Sequence, residues 1–175
     1  SYVPLTKWEN SGYEAYFVYD MAEAYPYADE FLRGFFVGKN MSELTVRDEI
    51  SLNTKSDISW FMHTKAKVTV ENDRVILEQN GKTVYMTWNA DREVKAEACA
   101  AVPPSYLNKS TSQNQNEGVT RISLGAENTD GLNLEVKFSA ECEMSFKGEI
   151  AGWSVADFEF KAIQNGNEIT NDEYG

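Results

Sequence analysis

The stretch from Lys65 to Trp88, KAKVTVENDRVILEQNGKTVYMTW, decides the fold class. Apolar and β-branched residues fill 65–70, 74–77 and 82–88, and turn chemistry stands at both junctions between these runs. Asn72-Asp73 has the composition of a two-residue turn. Asn80-Gly81 is the stronger signal, because both residues tolerate the positive φ of a tight hairpin turn. Three antiparallel strands joined by tight turns make a meander.

The same period-two reading extends outward. Before the meander, Tyr13, Ala15, Phe17 and Tyr19 fall on one face of an extended chain, with Glu14, Tyr16, Val18 and Asp20 opposite. Met21 to Pro26 has room for one helical turn before the proline stops it, and 20–30 is the only region where helix is expected. Residues 31–37 and 44–52 read as a hairpin turning at Gly38-Lys39-Asn40, and the dense apolar run 58–62 reads as a further strand. Beyond the meander, 94–102 is strand-like and ends at Pro103-Pro104. The polar run within 105–118 is expected to be a flexible surface loop. Residues 119–124, 132–140 and 155–163 complete the strands, with turns expected at Asn128-Thr129-Asp130-Gly131 and Asn165-Gly166-Asn167. Short strands at this spacing without intervening helices predict an all-β chain, a two-sheet antiparallel β-sandwich with long loops formed by 1–175 as a single domain.

Composition narrows the function. Against 28 acidic residues stand 16 basic ones, giving a formal charge of −12, and the basic residues are scattered. Phosphate recognition needs clustered Lys and Arg, so nucleic acid is excluded as an expected partner, and an anionic polysaccharide would need a local basic pocket. No run approaches the roughly 20 apolar residues of a membrane helix, so no membrane partner is expected. The start, Ser1-Tyr2-Val3-Pro4, lacks a signal pattern and an initiator Met, which suggests a processed or excised chain. Cys99 and Cys142 allow one disulfide, but pairing depends on a separation that sequence does not give.

The catalytic repertoire is thin. His63 is the single histidine, and zinc wants three or four ligands at defined spacing, so a satisfied structural histidine at a strand end is the expectation. Neither a GxSxG elbow nor a cysteine nucleophile motif is present. Acidic pairs are too abundant to signal glycoside hydrolysis, and Asp48-Glu49 is expected to supply one inward contact and one solvated side chain. Asn128 to Gly131 and the tail Asn171-Asp172-Glu173 offer oxygen ligands that calcium uses but lack the order of an EF-hand loop. No cofactor is expected, with calcium the one weak alternative. Most aromatic residues lie in alternating strands, where core packing accounts for them; Trp8, Tyr27 and Tyr106, in loop-like surroundings, are the candidate platforms for stacking on a sugar ring.

Four segments in order carry a resemblance: Tyr25-Pro26; Arg33-Gly34-Phe35-Phe36-Val37; Val46-Arg47-Asp48-Glu49-Ile50; and Ser59-Trp60-Phe61-Met62-His63-Thr64. Together with the Asn-Gly hairpin within 72–88, they resemble the C-terminal β-sandwich region of heparinase II/III-like polysaccharide lyases, over about residues 13 to 90. Such proteins pair an N-terminal α/α toroid with a β-sandwich and cleave uronate-containing polysaccharides by β-elimination. The resemblance implies a non-catalytic sandwich domain that supports a toroid belonging to the same polypeptide, inactive alone, with a periplasmic or extracellular location and a polysaccharide as the distant partner. The family's base and zinc ligands precede this segment and match nothing here. Arg33, Arg47, Asp48, Trp60 and His63 fall on the family pattern as structural positions, with ion pairing inside the sheet the expectation for the charged ones. A free-standing carbohydrate-binding module or a structural surface domain is the competing reading.

Overall fold

The computed structural model describes residues 3–10, 15–38, 42–103 and 115–141, together with the backbone of 162–164 and 167–169. Nine strands form one antiparallel sheet: β1 (Leu5–Asn10), β2 (Ala15–Asp20), β3 (Ala28–Gly38), β4 (Glu43–Thr64), β5 (Lys67–Val70), β6 (Arg74–Gln79), β7 (Lys82–Ala90), β8 (Lys95–Ala100) and β9 (Thr120–Ser139). Their order is β1-β2-β3-β4-β9-β7-β6-β5, with β8 also paired to β9. A separate two-stranded ribbon joins β10 (Ala162–Gln164) to β11 (Asn167–Ile169). The expected helical turn is a 3-10 turn at Ala22–Ala24.

The meander forms as its turns require. Gln79 pairs with Lys82, and Asn80 and Gly81 take φ of 52° and 73°, so the chain reverses in two residues with a twist that suits the strands it joins. Val70 pairs with Val75 across the other turn, which the Glu71 N–H closes on the Arg74 carbonyl at 2.8 Å.

Two expectations are corrected. Residues 58–62 are not a separate strand but the far half of β4, and 119–124 and 132–140 are the two halves of one strand, β9. Glu43 to Ser51 pair with Ser139 to Gly131, and Ser56 to Thr64 pair with Thr129 to Thr120, so both halves of β9 bond to the same neighbour. The Asn128 to Gly131 segment therefore cannot reverse the chain. It makes a bulge: Asn128 takes φ of 46°, the Thr129 hydroxyl donates to the Gly131 carbonyl at 2.6 Å, and pairing resumes out of step. Gly131 is needed there, because a Cβ would strike the carbonyl oxygen of Ile50.

The break turns one sheet into two layers. β5 comes back into contact with β8, although β6, β7 and β9 separate them in the ladder, so the sheet curls over its apolar face. Val46, Leu132, Leu134 and Val136 from one half share a buried cluster with Trp60, Ile122, Leu124 and Ala126 from the other, and Val75, Leu77 and Met86 close it. Full burial of such side chains contributes roughly 1.5–3 kcal/mol each. The all-β antiparallel class holds, with the layers joined by two through-going strands. No helix among the described residues is long and apolar enough to cross a membrane.

Candidate functional site

A cleft of about 370 Å³ lies where β4 breaks register. Ser56, Asp57, Ile58 and Trp60 line it from beyond the break, Asp48, Ile50 and Leu52 from before it, and Tyr25, Tyr27, Phe31 and Arg33 from β3 and the turn that enters it. Residues from both sides of the register break in one strand thus contribute to this concavity.

At its polar end Arg33 and Asp48 face each other across β3 and β4. The guanidinium donates from Nε to Oδ1 at 2.6 Å and from Nη2 to Oδ2 at 2.5 Å, a bidentate fork. The Asp48 side chain is 2% exposed and that of Arg33 24%. Burial raises the Asp48 carboxyl above the usual carboxylate range, although the hydrogen bond and charge of Arg33 pull the other way. For Arg33 burial pulls downward, yet the hydrogen bond and charge of Asp48, helped by Tyr25, leave it above its ordinary value. Phe31 is held between two neighbours: the Tyr25 ring lies 5.0 Å away, tilted by 53°, and the Arg33 guanidinium lies 5.5 Å from the ring centre.

The aromatic wall is open. Tyr27 is 61% exposed, Phe61 50% and Tyr25 47%. Arg121 lies 5.0 Å over the Phe61 ring without lining the cleft. Asp57 accepts the Asn128 N–H at 2.9 Å, which anchors that wall to the bulge of β9.

On the other face of β4, Arg47 donates to Glu135 at 2.7 Å and pairs with Glu49 at 2.9 Å, so Glu49 is engaged and not solvated. Thr87 and Ser139 are buried with this group. A second, polar cleft of about 410 Å³ adjoins it, lined by Glu30, Leu32, Arg47, Glu49 and Asn133 among others.

The remaining candidates scatter. Trp8 is 64% exposed on the edge strand β1, in regular strand and not in a loop, and is not among the cleft residues. Tyr106 lies outside the described residues, as do Cys142 and the tail from 170. Trp60 is 7% exposed and belongs to the core. His63 is exposed near the end of β4, opposite Arg121. Cys99 is exposed on β8, its sulfur 3.4 Å from Arg121 Nη2. Among the described residues no group of three or more His, Cys, Asp or Glu side chains is placed to hold a metal. Asp130 instead binds Arg92, whose hydrogen bond is the main influence holding its carboxyl below the usual range.

Sequence reasoning singled out Tyr27, Arg33 and Asp48 but not their common cleft, and it missed Tyr25, Asp57 and Phe61 as walls. Two aromatics flanking Pro26 just before an arginine-bearing strand were a usable signal. Phe61 was not recoverable, because it is out of phase with Ile58, Trp60 and Met62 and reads simply as an outward residue.

The fold defines the class: a curled, all-β antiparallel sheet of the sandwich kind. Heparinase III has a related fold, superposing with a TM-score of 0.59 at 13% identity over 78% of this chain and 21% of that one. The chain thus spans about a fifth of heparinase III. No family model matches the sequence, and no curated protein matches it.

Proposed function

We propose that this chain is a non-catalytic β-sandwich domain of a heparinase II/III-like polysaccharide lyase, which supports a catalytic toroid of the same polypeptide and its substrate cleft. The carrying observation is the related fold, which accounts for most of this chain but a minor part of heparinase III. The exposed position of His63, the chain's one histidine, fits a supporting role. Such a domain acts outside the cytoplasm, in the periplasm or beyond the cell, where polysaccharide is met.

The purified chain, incubated with heparan sulfate, alginate or chondroitin, is expected to give no absorbance from unsaturated uronate. Turnover by the chain alone overturns the non-catalytic reading. In the parent gene, coding sequence for an α/α toroid is expected upstream, and an unrelated neighbour counts against the lyase assignment. The exposed Tyr25, Tyr27 and Phe61 around a cleft also favour a second reading, a carbohydrate-binding module.

A further inference from the structure

We infer that the cleft at the break in β4 is a binding subsite for an uncharged sugar ring and discriminates against uronates. Its size suits one or two pyranose rings, since small-molecule sites start at roughly 300 Å³. Its chemistry divides as a sugar does. The exposed rings of Tyr27 and Phe61 suit the C–H face of a pyranose, while Arg33 and Asp57 suit its hydroxyls.

The selectivity follows from charge. Among the described residues that line the cleft Arg33 is the one cation, and its fork is already closed on Asp48. With Asp57 the described lining residues carry one net negative charge, in a chain of −12. A sugar carboxylate entering there would meet a neutralised guanidinium and an unneutralised carboxylate, whereas a hydroxyl can donate to the exposed Asp57. Arg33 carries N–H groups beyond the two in the fork, and a ring or hydroxyl oxygen of a sugar can accept from them. Support of a lyase toroid requires none of this, so the subsite stands or falls separately from the proposed function.

The test is calorimetric titration and saturation-transfer NMR of the full chain. The probes are cellohexaose, xylohexaose and mannohexaose on one side and hexamers of galacturonate and mannuronate on the other. At least one neutral hexamer is expected to bind at least about tenfold more tightly than either uronate hexamer. Y27A is expected to weaken that binding about tenfold with an unchanged circular dichroism spectrum, while W8A, which removes an equally exposed ring elsewhere, leaves it unchanged. R33K keeps the charge but loses the fork, and is expected to weaken the same ligand. Silence with all three neutral hexamers overturns the subsite, as does equal or tighter uronate binding. Binding that survives Y27A but is lost in W8A places the sugar elsewhere and overturns it too.

Discussion

Arg33–Asp48 and Arg47–Glu135 are ion pairs built from consecutive residues of β4, yet they face opposite ways and live in different surroundings. The Asp48 side looks into an aromatic cleft, where one carboxylate at 2% exposure depends on a single guanidinium. The Arg47 side is a polar network in which one guanidinium serves two carboxylates, at 10% and 18% exposure, beside Lys137 paired to Glu43 at 3.0 Å. Exclusion from water makes the first pair brittle, and the partial access of Glu135 and Glu49 to water makes the second more tolerant. The difference teaches that position along a strand sets charge type, while the face sets what losing that charge does.

The sharpest way to break the comparison is R33A, which strands the Asp48 carboxylate in the core. Urea denaturation at neutral pH is expected to show a loss of about 3–5 kcal/mol. The sign of its pH dependence follows from Asp48. A carboxyl whose folded pKa is raised stabilises the fold at low pH and loses that contribution as pH rises through the folded value. Removing Arg33 takes away the influence that lowers it, so the gap between variant and wild type should be widest near neutrality and narrow towards pH 4. A gap that instead stays constant with pH shows that groups other than Arg33 set the protonation of Asp48.

R47A on the opposite face is expected to lose less, about 2–3 kcal/mol, because Glu135 and Glu49 retain partial access to water. Equal losses in the two variants would erase the distinction between the faces. Replacing both members of the cleft pair, R33M with D48L, is expected to leave stability within about 1 kcal/mol of wild type, since a matched apolar pair has no stranded charge. Its sugar binding should nevertheless vanish, which would separate recognition from folding at one site. At the small end, K67A removes an exposed pair with Glu78, 2.9 Å long, and should change stability by less than about 0.5 kcal/mol.

Much of the fold was legible locally, and little of the site. Asn80-Gly81 announced its hairpin because a two-residue turn with positive φ is chemistry confined to neighbours in sequence. Asn128 to Gly131 carried equally good turn residues and yet made a bulge. Nothing near it reveals that both flanking segments pair with the same long strand. Arg33 and Asp48 were noted as charged strand positions, and their register was within reach once β3 and β4 were seen as a hairpin. Glu135, 88 residues from its partner Arg47, was not. Tyr27 looked like a platform from its loop setting, and so did Trp8, which the fold leaves on an edge strand away from the cleft.

By itself the sequence determined the all-β class, the meander and the acidic surface, because alternation, turn residues and charge act over a few residues at a time. The tertiary structure alone decided that β4 and β9 run through both layers, that the sheet curls at their break, and that Tyr25, Tyr27, Asp48, Asp57 and Phe61 meet around one cleft. The reason is physical. A strand's pattern states which face is apolar but not which distant strand covers it, and a concave site exists only once that choice has bent the sheet.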